Sequence, residues 1–588
     1  MKQVIALLIA TLIGVCLLPI QHATTPPFAN PAFQSTWAEQ SASAAQLDLW
    51  GSEPLAWRVE PYADAPDGRR VVQYFDRGRM ELATAPGDST QPTVTQGLLA
   101  QEMTTGEVQL GDRLTTPQAP PATSIDDGAS DPRVPTFAAL AAVVGQRVDS
   151  LVGTGVLSVK WIDSRGVPTA GPPPIAIRAA AFVVATGHNL PDVTVTFFST
   201  QPFGSVDWVA AMGYPISEPY WTIIRRNDVA LPSLIQVFQR RILVYTPSLS
   251  PDQRFTVTNI GSDYYRWRYG TDPALRWPDP LAGPQASGIA VPSGFKAGVY
   301  AQGLGTPIGL AIGPDGRLWI LTEEGRILFV ASERADGSVQ NVTVFAQGLA
   351  NPRGIAVVGN SVYVAVDNGV MRYDDYNLDG SPDHQQYLTQ SVEPAAGSRG
   401  APILDAQGQL FVAGTRLPDG RPHVVMMISP TGSLISTGQG FSSPGPGTVF
   451  QHQLYVVDRT GDGNATLLQY PLGPGTAGTG AAPQLDVTSG QIAAKFAEGA
   501  SVTAVLWFNS ALWPRVPPDT LLAATVSGNS GSVVRSVSRN NVSPPDLVDF
   551  ATGFVRPTAL AVGLDGSLFV ADAGSGTVYK IIAPAANP

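Results

Sequence analysis

Cysteine is almost absent from this chain: the only one among 588 residues is Cys16, inside an apolar N-terminal run. If that run is removed as a secretory signal, the mature protein has no cysteine. Disulfides, thiolate catalysis and zinc sites built on cysteine are then excluded. Histidine is also scarce, with five residues, which leaves few candidates for a general base.

Basic charge is low as well. The chain has 36 Lys and Arg against 47 Asp and Glu, a formal net charge of −11. Because neutralising phosphates requires a basic surface, this balance argues against nucleic acid as a partner. Only 14% of residues are charged, and 60 Gly and 52 Pro indicate a turn-rich, folded chain that is long enough for several domains.

The N-terminus begins with one Lys and an uncharged apolar run from Val4 to Ile20. This pattern is typical of a secretory signal, with an uncleaved membrane anchor through residues 4–20 as the alternative. Residues 1–30 are therefore predicted to be a signal peptide or anchor. The protein is expected to be extracytoplasmic, either secreted or attached to the cell envelope.

Two Pro-rich segments without periodicity, residues 111–135 and 271–291, indicate linkers. They separate two pieces predicted to be small β-rich modules, 35–110 and 136–270, from a long C-terminal piece, 292–588. The modules share a pattern that indicates duplication: Gln73, Phe75 and Arg77 recur at the same spacing as Gln236, Phe238 and Arg240.

The words "VQYFDRGRMEL" and "MGYPISEPYW" resemble modules named after a Leu-Gly-Phe-Pro motif in secreted bacterial proteins. Only the second copy has the Gly213-Tyr214-Pro215 element. The resemblance implies attachment to a cell wall, so a cell-wall glycan is an expected partner, beside a small molecule or a protein ligand.

Residues 292–588 contain a repeated pattern that predicts a six-bladed β-propeller. The segments that begin near Tyr300, Phe345 and Phe550 each pass from an aromatic residue through Gly and Pro into successive apolar strands. Asp-Gly pairs at 315–316 and 565–566 are typical of tight turns between such strands. The fold class predicted for the whole chain is all-β, with two small β-rich modules followed by the propeller.

This repeat resembles NHL repeats, and "NPRGIAV" with "GVMRYDDYNLDGSPD" resembles propellers of the glucose/sorbosone dehydrogenase type. That resemblance implies pyrroloquinoline quinone (PQQ) and calcium as cofactors for sugar oxidation, with a His as the base. Here the corresponding place has Ser398 and Arg399 and no His, which removes the base that the reaction requires.

The stretch "DYNLDGSPD" also has the spacing of a calcium loop. Asp375, Asn377, Asp379 and Asp383 fall at positions that offer alternate oxygen ligands, with Gly380 at the bend. Position twelve is Gln386 where such loops place a bidentate Glu, so any calcium affinity should be weak. The alternative is a solvated turn, which Asn, Asp and Gly also favour.

Three further residues are predicted to bind a ligand. Arg353 and Arg556 occupy equivalent places before inner blade strands, and His452 precedes the strand "LYVVD". An Arg there could grip a carboxylate, phosphate or sugar hydroxyl. The alternatives are a blade-to-blade salt bridge for the arginines and an exposed loop residue for His452.

We therefore expect an exported, envelope-associated propeller protein that serves as a platform for a ligand or partner, without catalysis. The first alternative is an enzyme, either a PQQ- and calcium-dependent sugar dehydrogenase or a lactonase. The second is a purely structural surface protein. Fold alone does not decide among them, because function resides in the site.

Overall fold

A computed structural model describes residues 28–583. The segments outside the description are 43–46, 66–68, 86–87, 127–132, 158, 205, 227–228, 271–282, 314, 335, 367–368, 376–379, 390–401, 405–409, 417–421, 429–433, 439–440, 451–452, 460–462, 473–489, 509–519, 529 and 538–545, together with 1–27 and 584–588 at the ends.

The described helices all lie in the N-terminal half, residues 28–270. They are α1 (Pro31–Ala42), α2 (Leu99–Thr105), α3 (Phe137–Leu140), α4 (Asp192–Ser199), α5 (Trp208–Met212) and α6 (Ile260–Tyr269). The strands of this half are β1 (Pro54–Pro61), β2 (Arg69–Phe75), β3 (Gly78–Ala85), β4 (Asp88–Gln96), β5 (Glu107–Gln109), β6 (Thr115–Pro117), β7 (Ala179–Val183), β8 (His188–Pro191), β9 (Tyr220–Arg226), β10 (Val229–Val237), β11 (Ile242–Tyr245) and β12 (Phe255–Val257).

The C-terminal half, residues 283–583, is built from strands. They are β13 (Lys296–Gln302), β14 (Pro307–Ile312), β15 (Leu318–Thr322), β16 (Arg326–Glu333), β17 (Val339–Gln347), β18 (Gly354–Val358), β19 (Ser361–Val366), β20 (Gly369–Asp374), β21 (His384–Thr389), β22 (Ile403–Leu404), β23 (Leu410–Arg416), β24 (Pro422–Ile428), β25 (Leu434–Gly438), β26 (Pro444–Phe450), β27 (Gln453–Arg459), β28 (Ala465–Pro471), β29 (Gln491–Lys495), β30 (Ser501–Phe508), β31 (Thr520–Ser527), β32 (Ser530–Val537), β33 (Asp546–Phe554), β34 (Pro557–Val562), β35 (Leu568–Asp572) and β36 (Thr577–Ile582).

The N-terminal half contains two four-stranded antiparallel sheets. One has the order β1-β2-β3-β4 and the other β12-β11-β10-β9, and two short hairpins, β5-β6 and β7-β8, complete the half. The duplicated residues of the sequence occupy matching places in these sheets. Phe75 ends β2 before the turn to β3, and Phe238 directly follows β10 before the turn to β11. Both phenylalanines are fully buried in one hydrophobic cluster.

The helix that follows each four-stranded sheet in the chain forms a hydrogen bond with a turn of the other sheet. The backbone N–H of Gln101 in α2 donates to the carbonyl of Gln239, in the turn of the second sheet, at 3.0 Å. The N–H of Gly261 in α6 donates to the carbonyl of Asp76, in the turn of the first sheet, at 2.8 Å. A Cβ at residue 261 would lie 2.0 Å from the carbonyl oxygen of Phe75, so this approach requires glycine.

This exchange gives the two sheets a common core. One cluster of buried side chains takes Val72 and Tyr74 from the first sheet, Ile235 from the second, and Tyr264 from α6. The Pro-rich segment predicted as a linker, 111–135, contributes buried Ile125 and Val134 to the same cluster, along with other residues of the half. The predicted domain boundaries themselves remain predictions.

The described strands of the C-terminal half form six four-stranded sheets. Five of them are formed by consecutive strands, from β14-β15-β16-β17 to β30-β31-β32-β33. First strands of neighbouring sheets contact one another at most steps of the series: β14 contacts β18, β22 contacts β26, β26 contacts β30, and β30 contacts β34. Strand β34 also contacts β14, so the series returns to its start.

The sixth sheet has the order β13-β36-β35-β34 and joins the two ends of this half. Lys296 in β13 pairs with Ile582 in β36, in antiparallel register. Each repeat unit of the sequence therefore begins one strand earlier than the sheet to which most of it belongs. Tyr300, Phe345 and Phe550 lie on the fourth-position strands β13, β17 and β33, and the chain then crosses to the first strand of the next sheet.

Tight turns and carboxylates fix the loops of these sheets. Gly316 and Gly566 have φ of +85° and +73°, which favours glycine, so the predicted Asp-Gly turns are confirmed. At the opposite end of the strands, Asp572 accepts hydrogen bonds from the backbone N–H groups of Val555, Arg556 and Gly574 at 2.6–3.1 Å. Buried carboxylates thus hold the loop that leads into an inner strand.

The predicted fold class, all-β, is confirmed by these sheets. No described helix is long and apolar enough to cross a bilayer, and residues 4–20, for which an anchor was predicted, lie outside the described part of the chain.

Candidate functional site

The first strands of the six sheets surround a narrow space of 280 Å³, which we call the axial channel. Its lining includes Ile308, Ile355, Ile403, Gly447, Val505 and Leu560, one from each of these strands. Two of its threonines already bond between neighbouring sheets. Thr503 Oγ1 donates to the carbonyl of Pro557 at 2.7 Å, and Thr558 Oγ1 donates to that of Pro307 at 2.7 Å. The hydroxyls of Thr503 and Thr558 are therefore already satisfied by protein groups.

The N-terminal half covers one end of the axial channel. Val59 and Pro61 of β1 and Arg69 of β2 belong to its lining. The backbone N–H of Val59 donates to the carbonyl of Leu564, just beyond β34, at 2.6 Å. A ligand in the channel would therefore enter from the end at which the inner strands begin.

Arg353 is the predicted ligand-binding residue that reaches the channel. It directly precedes β18, is partly buried, and lines the channel near the end away from β1. Arg69 and Arg353 are the only charged side chains that the described residues place along it. The described lining has no carboxylate, so the calcium ion that the resemblance implies beside PQQ would have no charged ligand there.

Arg556 lies outside the channel. Its guanidinium is 3.5 Å from the carboxylate of Glu323 on the neighbouring sheet, and both side chains are well exposed. This is the geometry of the blade-to-blade salt bridge that the sequence left as the alternative. The exposed pair should contribute little to stability. His452 lies outside the described residues.

Two of the predicted metal ligands are described. Asp375 is 5% exposed, and its Oδ2 accepts a hydrogen bond from the N–H of Gly380 at 3.0 Å. Asp383 is exposed, and its backbone N–H donates to the carbonyl of Asp374. Asn377 and Asp379 lie outside the description. Within the described part of the chain no group of three or more metal-ligating side chains occurs, and the calcium site remains a prediction.

A larger cavity of 670 Å³ lies between the N-terminal half and the propeller, and we call it the interface cavity. On the propeller side it is bordered by the first two sheets and the closing sheet, through residues such as Trp319, Asn360, Phe569 and Lys580. On the other side its lining comes from β1, β6 and the end of α6. A volume of this size is typical of small-molecule sites.

The two walls of the interface cavity carry opposite charge. Arg58 and Arg268 are the charged lining residues from the N-terminal half. The propeller contributes two cations to the lining, and each lies beside an Asp of the same wall: Lys580 is 2.8 Å from Asp565, and Arg317 pairs with Asp315. Glu333 and Asp375 bring the carboxylates to four, so this wall is negative by two charges.

Three side chains that line the interface cavity hold buried polar atoms without a hydrogen-bond partner. They are Oγ1 of Thr116, Nε and Nη2 of Arg268, and Oδ1 of Asp375. Each of these residues is at most 7% exposed. Buried polar atoms are normally satisfied, and leaving one unsatisfied costs about 1–3 kcal/mol. Each of these atoms has almost no accessible surface, so the atoms themselves do not face the cavity.

Behind the N-terminal wall, Arg268 is anchored in a buried network of ionised groups. Glu60 accepts hydrogen bonds from the hydroxyls of Tyr74 and Tyr269 at 2.5 and 2.6 Å. Its carboxylate lies 3.2 Å from Arg79 and 3.9 Å from Arg268. Burial alone raises the pKa of Glu60, but the arginines and the Tyr269 hydroxyl outweigh burial, so its pKa is well below the ordinary value.

The same network extends to two more carboxylates. Glu81 receives Arg70 at 2.7 Å and Arg79 at 2.5 Å, and Glu102 accepts from the hydroxyl of Tyr264 at 2.5 Å. Three carboxylates, Glu60, Glu81 and Glu102, thus face three guanidiniums. Arg58 lies beside this network, with its guanidinium over the rings of Tyr265 and Tyr269 and its Nη1 donating to the carbonyl of Trp57 at 2.8 Å.

The described histidine side chains lie elsewhere. His188 is 1% exposed and its Nδ1 is 3.3 Å from Glu218 in the N-terminal half. His384 is exposed, with Nδ1 3.5 Å from Asp374. Neither lines the interface cavity or the axial channel.

Sequence reasoning found Asp375 but not its partners in the interface cavity. Thr116, Arg58 and Arg268 are separated by up to about 210 positions from one another and by more than 100 from Asp375, and no motif connects them. The available signal was composition: in a chain with little charge, arginines next to aromatic residues, as in "YYRWRYG", indicate cation–π contacts and burial.

Comparison with known proteins gives one family and a set of structures. The family model described as a domain of unknown function (DUF7133) matches residues 285–399. No curated protein matches. Among solved structures, an oxidoreductase described as a glucose dehydrogenase from Thermus thermophilus is 16% identical, with a TM-score of 0.37, over 49% of this chain and all of that one.

Two further structures are similar to the same extent. The PQQ-bound aldose sugar dehydrogenase of Streptomyces coelicolor is 16% identical, with a TM-score of 0.35, over 50% of this chain and 99% of that one. A gluconolactonase from Xanthomonas campestris is 16% identical, also with a TM-score of 0.35, over 53% and 99%. At these values the similarity transfers no chemistry to this chain, and the enzymatic alternative remains a prediction.

Proposed function

We propose that this protein binds a small polar molecule in the interface cavity, between its N-terminal half and its propeller. The observation that carries the proposal is the cavity itself: 670 Å³ between the two halves, lined by charged side chains of both signs, Asp375 among them. Hydroxyl and charged groups of a ligand would meet polar lining residues from both halves. This develops the expectation of a binding platform from the sequence and places the ligand off the propeller axis.

The interface cavity supports this function better than the axial channel does. It is more than twice as large, at 670 Å³ against 280 Å³, and polar side chains from both halves line it. The channel is covered at one end by β1, and two of its threonines are already hydrogen-bonded. We retain the extracytoplasmic location as part of the proposal, on the apolar segment 4–20 alone.

The test uses the full-length chain and the variant Asp375→Asn, which keeps the size of the side chain and removes its charge. Isothermal titration calorimetry and thermal melts with a panel of monosaccharides, amino sugars and amino acids should identify a ligand that raises Tm. Asp375→Asn should weaken binding at least tenfold. The matched control is Asp252→Asn, an exposed carboxylate outside the cavity, and it should bind like the wild type.

Two outcomes would contradict the proposal. One is a ligand whose affinity is unchanged in Asp375→Asn while the variant melts like the wild type. The other is the absence of binding by every member of the panel.

A further inference from the structure

Exposed apolar side chains are concentrated in one part of the N-terminal half. Of the twelve large apolar residues that are well exposed in the described part of the chain, six lie from residue 148 to residue 184. Among them, Leu151 is 39%, Val152 46% and Val184 73% exposed. Exposed apolar side chains scattered singly need no explanation, whereas a group of them is typical of a surface that another molecule covers.

Hydrogen bonds bring several of these residues together. The guanidinium of Arg147 donates to the carbonyls of Val184 and Ala185 at 2.8 and 2.9 Å. The backbone N–H of Val148 donates to the carbonyl of Gly187 at 2.9 Å. This segment of the chain therefore lies against the turn of the β7-β8 hairpin.

Further contacts fix the segment that follows. The N–H of Leu151 donates to Oδ1 of Asn189 at 2.8 Å, and Nδ2 of Asn189 donates to the carbonyl of Asp149 at 3.1 Å. Val156 forms an antiparallel bridge with Arg178, which directly precedes β7. Because the backbone is already ordered, covering these side chains costs little additional entropy. We define the apolar face as Val148, Leu151, Val152, Val156 and Val184.

The charge around the apolar face is opposite to that of the whole chain. Residues 145–184 contain four basic and two acidic residues, a formal charge of +2, whereas the whole chain has −11. All four basic side chains are exposed: Arg147, Lys160, Arg165 and Arg178. Apolar side chains flanked by basic ones fit the interface of an anionic bilayer, where the apolar groups enter the acyl boundary and the cations meet lipid phosphates.

A second copy of this chain fits the apolar face less well. A two-fold contact places the same surface patch of each subunit against the other, so two regions of charge +2 would face each other. Like charges across an interface disfavour such a contact. The charge therefore favours an anionic surface as the partner.

The N-terminal apolar run gives a second reason to expect a bilayer near this half. It ends eight residues before Phe28, where the described part of the chain begins. A fully extended chain of that length spans at most about 28 Å. Phe28 and Val183, the neighbour of Val184, pack against the same hydrophobic cluster. A membrane anchor formed by residues 4–20 would hold the apolar face close to the bilayer surface.

We propose that the apolar face binds the surface of an anionic phospholipid bilayer, with its apolar side chains inserted below the phosphates and the neighbouring basic side chains in contact with them. The inference goes beyond the proposed function and is independent of it, since no residue of the apolar face lines the interface cavity.

The experiment makes use of the scarcity of cysteine. In the full-length chain with Cys16→Ala, a solvent-sensitive fluorophore is attached through Val152→Cys or, as the matched control, through Val344→Cys. The two valines are 46% and 47% exposed, and Val344 lies on strand β17 of the propeller. Each labelled chain is mixed with vesicles of phosphatidylcholine, with and without phosphatidylglycerol, and flotation isolates the bound protein.

On vesicles with phosphatidylglycerol, the label at residue 152 should shift its emission to the blue, and its quenching by aqueous acrylamide should fall at least threefold, because it leaves water. The label at residue 344 should show neither change. The effect at residue 152 should be smaller on phosphatidylcholine alone and at high salt, because the attraction of the basic residues is electrostatic.

Variants of the Val152→Cys chain assign the two parts of the contact. Leu151→Asp places a charge among the apolar side chains and should abolish most of the emission shift. Lys160→Gln combined with Arg178→Gln should weaken the effect of phosphatidylglycerol. Arg113→Gln, on an exposed arginine outside residues 145–184, is the matched control and should leave that effect unchanged. An unchanged Tm shows that each variant is folded.

Three results would overturn the proposal. The first is a vesicle-bound chain in which the label at residue 152 stays as accessible to acrylamide as the label at residue 344. The second is protection of residue 152 without vesicles as the protein concentration rises, which would mean that a second copy covers the face. The third is a chain that does not float with anionic vesicles.

Discussion

The N-terminal half and the propeller place their charged residues in different ways. In the N-terminal half, Glu60 and Arg79 lie at the centre of a buried network, and both are at most 1% exposed. In the propeller, carboxylates such as Asp572 lie at the ends of strands and bind backbone N–H groups of loops, while the faces of the sheets pack apolar residues. Charge forms part of a core in one half and fixes loops in the other.

The difference follows from how each half is built. A propeller sheet packs only on its two neighbours, so the same apolar pattern serves every sheet, and polar groups are needed only where a loop turns. The N-terminal half interlocks two sheets and two helices from distant parts of the chain. The hydrogen bonds and ion pairs of its buried network form only when all of these elements are in place. We therefore expect the network to favour this packing of the sheets and helices over other packings that bury the same apolar residues.

The largest effect should come from removing the central carboxylate. Glu60→Gln leaves Arg79 and Arg268 buried near a neutral amide, and we expect a loss of about 3–5 kcal/mol in the free energy of unfolding. Urea titration followed by hydrogen exchange of peptides from β2 and β35 reports the two halves separately. As urea increases, peptides from β2 should lose protection from hydrogen exchange before peptides from β35 do.

Glu53→Gln serves as the control, because this exposed carboxylate directly precedes β1 and lies outside the network. A loss below about 1 kcal/mol in Glu60→Gln would show that the network does not hold the half together.

The next largest effect should be a difference between the two halves in how their stability depends on pH. The pKa of Glu60 in the folded chain lies below its ordinary value of 4.5, so the network stabilises the fold above that pH and loses the contribution as pH falls below it. The loss amounts to at most about 1.4 kcal/mol per pH unit for this group.

Asp565 in the propeller has the same direction. Burial raises the pKa of Asp565, but the ammonium of Lys580 and hydrogen bonds from Ser567 outweigh burial and bring the pKa below the ordinary value of 3.8. Urea titrations at pH 7, 4 and 3 should therefore show the N-terminal half weakening before the propeller, with a smaller pH dependence in Glu60→Gln. If the propeller lost stability at a higher pH than the N-terminal half, the proposed difference between the two halves would be wrong.

A moderate effect is expected from the loop carboxylates. Asp572→Ala leaves the N–H groups of Val555, Arg556 and Gly574 without their acceptor, and we expect a loss of about 2–3 kcal/mol, confined to the propeller. Asp572→Asn keeps one acceptor oxygen and should cost less. Glu498→Gln, an exposed acid on a propeller loop, provides the reference. Equal losses in β2 and β35 peptides would mean that the halves unfold together.

The smallest effect concerns the contact between the halves. Gly359 has φ +54°, and a Cβ there would lie 2.7 Å from Oγ1 of Thr116 in the N-terminal half. Gly528 has φ +59° and nothing near its Cβ position. Both Gly→Ala variants should lose about 1 kcal/mol through backbone strain.

Only Gly359→Ala should also weaken the contact between the halves, as increased proteolysis between residues 270 and 283 or as faster exchange in β6 peptides. Identical behaviour of the two variants would show that the halves do not depend on this contact.

Local patterns predicted the propeller strands and turns well, because each sheet is formed largely by consecutive strands and its turns need specific residues. The Asp-Gly pairs at 315–316 and 565–566 are examples. The pairing of β13 with β36 was not foreseen, since it joins residues almost 300 positions apart and no local signal marks it. In the N-terminal half the repeated Gln, Phe and Arg were found, whereas the exchange of α2 and α6 between the sheets was not.

The sequence by itself determined the all-β class, the repeated strands, the near absence of cysteine and the acidic balance of charge, because composition and period are local properties. Only the tertiary structure decided that Asp375 and Arg268 line one cavity, that β1 covers the axial channel, and that Arg556 pairs with Glu323. The physical reason is that a site between two halves depends on which surfaces dock. Docking is a sum of many weak contacts between residues far apart in the chain, and none of them leaves a pattern of its own.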